Sequence, residues 1–176
     1  VPGSTVSASA SQTSGLARAY VDVLHEITPD IRAEYALFGT LISGGGTDVQ
    51  RLDPRAGIAW SFADGQSLRA GFMRDGLDTT VPTLSPIGIV NLQPNQTSTD
   101  DSGYTDTLAV RWDAEWTPDF FTAVEFQHQE AKKLQIEVPL TAVAYTTGEG
   151  RIDRASVSAN YLIGHGFGLS STVAYA

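Results

Sequence analysis

The sequence predicts an all-β fold: a segment of an antiparallel up-and-down transmembrane β-barrel, with about nine long strands in one region covering residues 1–176. Apolar and polar residues alternate with a period of two along most of the chain, which is typical of strands with two different faces. Several alternating segments run about 9 to 12 residues. A tilted strand needs roughly 9 to 11 residues to cross a bilayer, whereas strands of soluble proteins average roughly 5 to 6.

Seven segments carry the alternation clearly, and two more carry it weakly. The clear segments are 16–27, 31–42, 53–62, 67–74, 107–116, 120–130 and 152–163, and the weak ones are 5–11 and 167–176. Between Thr107 and Trp116, for example, apolar Leu108 and Val110 alternate with residues that include Arg111 and Asp113. A helix would scatter these side chains around its surface. Each segment is therefore predicted to be a strand with one apolar and one polar face.

The connections between these segments are of two kinds that alternate along the chain. Tight connections are predicted at 28–30, 63–66, 117–119 and 164–166, and long ones at 43–50, 75–104 and 131–150. The tight ones contain Pro, which fixes φ, Asp, which bonds its own backbone, or Gly, which permits positive φ. Because every long connection then lies at one end, the pattern is typical of outer-membrane barrels, with short periplasmic turns and long extracellular loops.

Aromatic residues on the apolar faces gather near the tight connections. These are Trp60, Phe62, Trp116 and Phe120, with Tyr35 on the same kind of face. In a barrel they would form an aromatic girdle at the periplasmic interface. The alternative is that they are core aromatics of a soluble sandwich.

Composition excludes several classes of function. The chain has 11 Lys and Arg against 20 Asp and Glu, a formal charge of −9, and so lacks the basic clusters that nucleic acid binding needs. It has no cysteine for disulfides, and no run of 18 apolar residues for a transmembrane helix. No signal-peptide pattern follows Val1, and we expect a fragment whose barrel is completed by missing strands or by other envelope subunits.

The predicted polar faces carry charges of both signs, and these residues are predicted to line the lumen. They are Arg18, Asp22, Arg32, Glu34, Arg55, Arg69, Arg111, Asp113, Glu115, Glu125 and Arg154. Such charges either pair across strands and fix the register, or set the selectivity of a water-filled pore. The sequence leaves both readings open. The expected partners are the lipid bilayer, lipopolysaccharide and either a solute or a polysaccharide.

Motifs for catalysis are weak, and neither an enzyme nor a cofactor or metal is predicted. His128 and Glu130 share a strand face, but a zinc site needs three or four ligands. Asp113 and Glu115 also share a face, and we interpret them as a polar wall rather than as an acid–base pair. The glycines of 164–168 lack the Lys and the helix of a phosphate loop and predict a turn.

Part of the chain resembles a known family. Residues 51–60, a tight turn and residues 67–72 look like paired strands of large outer-membrane barrels, such as those of TonB-dependent receptors. Residues 51–139 are more similar to the C-terminal barrel of envelope proteins that carry tetratricopeptide repeats. The matching features are 82–88, Asp100-Asp101, and 117–121 leading into Glu125-Phe126. The resemblance implies an outer-membrane location and a role in moving a polymer or solute.

Three functions compete. The first, which we favour, is an outer-membrane barrel that forms a pore for export or uptake. The second is a non-enzymatic surface-exposed β-structure, an adhesin or assembly subunit, which would stay soluble without detergent. The third is a barrel enzyme, which would require a Ser, His and Asp cluster near one rim.

Overall fold

The computed structural model describes residues 14–44, 48–76, 88–95, 99–138, 143–164 and 166–176. They form eight strands: β1 (Ser14–Thr28), β2 (Ile31–Gly44), β3 (Val49–Ala63), β4 (Gln66–Asp75), β5 (Thr99–Thr117), β6 (Phe120–Val138), β7 (Val143–Gly164) and β8 (Phe167–Tyr175). All eight belong to one sheet in chain order, and every neighbouring pair is antiparallel. Within these ranges, no helix is long and apolar enough to cross a membrane.

The predicted all-β, antiparallel, up-and-down architecture is confirmed, and the sheet is consistent with an incomplete barrel-like structure. About nine strands were expected and eight are described, because the weak segment Thr5–Ser11 lies outside the described residues. Several strands are longer than the sequence predicts. β5 and β6 have 19 residues each, and β7 has 22.

The predicted tight turns join the strands at one end of the sheet. In the Thr-Pro-Asp turn before β2, Thr28 Oγ1 accepts the backbone N–H groups of Asp30 and Ile31, at 3.3 and 3.1 Å. Thr117 Oγ1 accepts the N–H of Asp119 in the same way, at 3.3 Å. These bonds satisfy backbone N–H groups at the turn that have no partner in the hydrogen-bond ladder between the strands.

One of the three predicted long connections is wrong, and the other two are shorter than predicted. Instead of a loop at 131–150, β6 continues to Val138 and β7 begins at Val143, and the two strands pair through this region. The predicted loop at 43–50 is shorter than expected, since β2 ends at Gly44 and β3 begins at Val49. Cross-strand pairing satisfies backbone groups whatever the side chains are, so polar composition alone did not identify a loop. The connection between β4 and β5 stays long but ends earlier than the predicted 75–104, since β5 begins at Thr99.

The register gives the sheet two chemically different faces. On the face that we call the apolar face, directly opposed residues form a continuous row across β2 to β8: Ile31, Trp60, Leu68, Trp112, Val124, Val157 and Val173. Most of these side chains are exposed: Trp60 is 47% and Val173 is 73% exposed, for example. On the opposite face, which we call the polar face, Phe38 and Asp53 are both 0% exposed. The sheet therefore buries part of its polar face, while many large apolar side chains of the opposite face stay exposed.

Candidate functional site

A notch crosses the middle of the polar face. Its floor is formed by Gly57 of β3, Gly71 of β4 and Ala109 of β5, which lie directly opposite one another. Glu34 of β2 stands at one side of this floor and Gln127 of β6 at the other. Glycine removes the side chain from the sheet surface, so another stretch of backbone can approach closely here.

Residues 88–95, from the connection between β4 and β5, occupy the notch; we call them the inserted turn. Ile89 and Leu92 exchange two backbone hydrogen bonds, of 3.0 and 2.7 Å. Between them, Val90 and Asn91 have φ of 44° and 64°. Two consecutive positive φ values define the two-residue hairpin turn of type I′. Asn tolerates this conformation, but a β-branched Val is strained in it and must be held by its surroundings.

Apolar packing holds Val90 in this conformation. Ile89, Val90 and Leu92 are buried together with side chains of the sheet in one cluster, whose other members are Ala36, Phe38, Met73 and Ala109. A Cβ added at Gly57 would lie 2.7 Å from Val90 Cγ2, and one added at Gly71 would lie 2.7 Å from Ile89 Cγ2. With the side chains of the turn unchanged, a larger residue at either glycine would therefore push the inserted turn away.

Hydrogen bonds hold the inserted turn from both sides. On the β2 side, Glu34 Oε2 accepts the backbone N–H of Val90 at 2.6 Å. On the β6 side, Gln127 Nε2 donates to the carbonyl of Gln93 at 2.8 Å, and Gln129 Nε2 donates to that of Asn95 at 2.9 Å. The inserted turn thus bridges the polar face from β2 to β6, and its buried backbone groups find partners there.

Toward the β4–β5 connection, the polar face carries buried ion pairs. Arg51 Nε donates to Asp53 Oδ1 at 2.6 Å, and Arg55 contacts Asp75 at 3.0 Å. The guanidinium groups of Arg18 and Arg55 lie over the ring of Phe38, at 4.6 and 4.2 Å from its centroid. Cation–π contact and carboxylate pairing compensate these arginines for part of the water that burial removes, while Arg18 Nε is buried without a hydrogen-bond partner among the described residues.

Toward the tight turns, the next row of the polar face is a belt of charges. It runs across β1 to β6 as Glu26, Arg32, Ala59, Arg69, Arg111 and Glu125. Asp113, one row further, pairs with both Arg69 and Arg111, and Arg111 also reaches Glu125 at 3.2 Å. These side chains stay partly exposed beside a cavity of about 410 Å³ that Phe121 and Asn160 also line.

All eleven residues predicted to line the lumen lie on the polar face, and the structure divides them. Arg18 and Arg55 belong to the buried ion pairs, and Glu34 anchors the inserted turn. The belt network brings four together: Arg69, Arg111, Asp113 and Glu125. The remaining four are distributed over the same face: Asp22, Arg32, Glu115 and Arg154 lie opposite Ala36, Glu26, Phe121 and Gln127, respectively. That these residues line a lumen stays a prediction.

Sequence reasoning missed the inserted turn and its seat, which is the notch over Gly57, Gly71 and Ala109. Gly57 and Gly71 interrupt two otherwise well-formed strands, which is a known signal of close backbone approach, and Ile89, Val90 and Leu92 form an apolar group within a predicted loop. Either signal points to a buried contact. Neither tells which residues meet, since that depends on the register of four strand pairs.

The weaker motifs have definite places. His128 Nδ1 lies 2.6 Å from Asp153 Oδ1, and its Nε2 lies 3.5 Å from Glu130, at the polar end of the apolar face. Among the residues that the structure describes, no group of three or more His, Cys, Asp or Glu is placed to hold a metal ion. Gly164 and Gly166 have positive φ, 89° and 84°, as a turn there requires, while His165 lies outside the described residues.

Neither a scan of protein-family models nor a search of curated proteins finds a match to this chain. The resemblance to barrels of repeat-containing envelope proteins therefore stays a prediction.

Proposed function

We propose that this chain is part of an outer-membrane β-barrel whose polar face lines a pore for the export or uptake of solutes. The observation that carries the proposal is the continuous row of apolar residues, most of them exposed, from Ile31 on β2 to Val173 on β8. A soluble protein rarely exposes so large an apolar surface. Lipid tails would cover it without an energetic penalty, and the ladder leaves few backbone groups for lipid to satisfy.

The height of the apolar surface supports the proposal. On β5 it extends from Trp116 to Leu108, and the next residue on the same face is the charged Asp106. Eight steps along a strand measure roughly 26 Å, or about 20 Å across the bilayer at a tilt near 40°. That is close to the apolar band of roughly 25 Å on known barrels. On β6 and β7 the boundary comes one row nearer the tight turns, because His128 lies opposite Leu108 and Asp153 lies opposite His128.

Aromatic residues at the opposite boundary fit a membrane interface. Trp60 packs on Phe62 at 5.4 Å between ring centroids, and Phe120 packs on Tyr161 at 6.4 Å, both pairs next to tight turns. Trp116 Nε1 donates to Thr122 Oγ1 at 2.8 Å, so its polar atom is satisfied while the ring stays exposed. Amphipathic rings of this kind prefer the level of the lipid headgroups.

The test is detergent dependence together with mobility on gels, using the protein at its native length. A closed barrel needs detergent and migrates differently before and after boiling, and in planar bilayers it then conducts ions. Protein that remains in the aqueous phase without detergent, with one mobility in both samples, would contradict the proposal.

One observation favours the second candidate, a surface-exposed β-structure that assembles with partners. In the described sheet, β1 and β8 each pair with one neighbour, and β8 is exposed along its whole length. Free strand edges pair readily with other chains. This candidate predicts soluble oligomers, and the same detergent experiment separates it from the pore.

A further inference from the structure

The inserted turn lies deep in the polar face rather than at its rim. Its floor residue Gly71 is four residues inside the end of β4 at Asp75, which places the turn roughly 13 Å below that end. Its anchors lie on β2 and β6, so it crosses the polar surface of five consecutive strands. The charged belt of Arg32, Arg69 and Arg111 occupies the very next row.

We propose that the inserted turn is the constriction of the pore and sets the size of solute that passes; this inference rests on the proposed function. A segment anchored at both sides of a wall narrows the space in front of that wall by at least its own thickness. Solutes that pass it meet the charged belt immediately, so the passage suits small hydrated solutes rather than bulky or apolar ones.

The packing indicates a fixed constriction rather than a mobile gate. Leu92 and Met73 are both 0% exposed and Ile89 is 1% exposed, so the contact between turn and sheet is closed to water. Hydrogen bonds to Glu34 on one side, and to Gln127 and Gln129 on the other, hold a backbone that is already a tight turn. Displacing the turn would expose apolar side chains and leave buried polar groups without partners.

The seat can be tested separately from conductance, because the chain has no cysteine of its own. The ideal Cβ position at Gly71 is 2.7 Å from Ile89 Cγ2, hence no more than about 4.2 Å from Ile89 Cβ after adding one carbon–carbon bond. Disulfides need about 3.5 to 4.5 Å between Cβ atoms. The double variant Gly71→Cys/Ile89→Cys is therefore expected to form a disulfide on mild oxidation, seen as a mobility difference between reduced and non-reduced samples.

Conductance then tests the constriction. Gly71→Leu places a side chain where Ile89 and Leu92 now lie and is expected to raise single-channel conductance roughly twofold or more, and to admit larger polyethylene glycols. The matched control is Gly39→Leu on the apolar face, where the nearest side-chain atom is 3.9 Å away, and it should conduct as the wild type does. Ile89→Ser/Leu92→Ser is a second variant that leaves every strand residue intact and should also widen the pore.

The outcomes separate this inference from the proposed function. Wider conductance in Gly71→Leu and in the serine variant, with wild-type conductance in the control Gly39→Leu, supports the constriction. Wild-type conductance in all of them overturns the constriction and leaves the pore standing. A protein that conducts in no form, although it is folded by its mobility on gels, overturns both. A cysteine pair that does not cross-link overturns the seat itself.

Discussion

The polar face has two halves that follow the same alternation and differ in their contact with water. In the half toward the β4–β5 connection, Phe38, Met73 and Asp53 are completely buried under or beside the inserted turn. In the half toward the tight turns, the side chains of Arg69 and Arg111 are 23% and 35% exposed beside the cavity. The difference begins with side-chain size: two opposed glycines admit a backbone turn, whereas two opposed arginines one row away exclude it.

The energetic consequence is that similar ion pairs are worth different amounts in the two halves. Removing one partner of a buried pair leaves a charge without water or partner, which costs about 3 to 5 kcal/mol. Removing one partner of a partly exposed pair costs about 0 to 1 kcal/mol, because water replaces it. The following predictions test whether the inserted turn creates this contrast.

The largest effect is expected for Phe38→Ala in the buried half. Phe38 fills the cluster under the inserted turn and carries Arg18 and Arg55 on its ring. Loss of a buried Phe costs about 3 to 5 kcal/mol, and the two cation–π contacts add about 1 kcal/mol each. Denaturant unfolding in detergent measures the loss. Phe121→Ala in the open half is the matched control, and an equal loss there would remove the contrast.

A somewhat smaller loss is expected for Asp53→Asn. Asp53 is buried and pairs with Arg51, and its other oxygen lies 3.4 Å from Thr40 Oγ1. Neutralising it leaves the Arg51 guanidinium buried beside a neutral amide, at a cost of about 3 kcal/mol. The same unfolding measurement applies. A cost under about 1 kcal/mol would show that water reaches this pair.

Next in size is Gln129→Ala, which removes one anchor of the inserted turn. Gln129 Nε2 donates both to the carbonyl of Asn95 and to Thr107 Oγ1, at 2.9 and 3.0 Å. One buried and one partly buried acceptor then lose their donor, and we expect a loss of about 1 to 3 kcal/mol. Hydrogen exchange should also speed up at Val90 in the inserted turn. Unchanged exchange there would mean that Gln129 does not hold the turn.

The smallest effect is expected for Glu125→Gln in the belt. Glu125 pairs with Arg111 at 3.2 Å, but both side chains are partly exposed and Asp113 remains as a second partner. We expect a change in unfolding free energy of about 1 kcal/mol or less. In the pore proposal the same variant shifts ion selectivity toward anions, which reversal potentials measure. A large loss of stability would show instead that the ion pairs of the belt behave like the buried ion pairs near the β4–β5 connection.

The two faces were predictable because their cause is local. A period of two places alternate residues on opposite sides of any strand, so the polar position of Arg55, Arg111 and Glu125 follows from the sequence alone. The tight turns were predictable for the same reason, since Thr28, Pro29 and Asp30 act on their own backbone.

The rows across the sheet were not predictable, because they depend on every intervening register. Gly57 and Gly71 share a row only through the bulge near Ser61, and Gln127 reaches them through a further two strand pairs. One shifted residue would move each side chain to the other face. The extension of β6 and β7 was missed for a related reason. Backbone pairing between the two strands stabilises it, and this pairing cannot be predicted from the composition of the segment.

The contacts of the inserted turn are far apart in the chain, which has a consequence for the order of folding. Val90 bonds Glu34, 56 positions earlier, and Asn95 bonds Gln127, 32 positions later. Closing such long loops is entropically costly, and the seat exists only once β2 through β6 are side by side. We therefore expect the turn to dock last. In pulse-labelling hydrogen exchange during refolding, the Val90 amide should gain protection after the amides of β3 and β4, and simultaneous protection would contradict late docking.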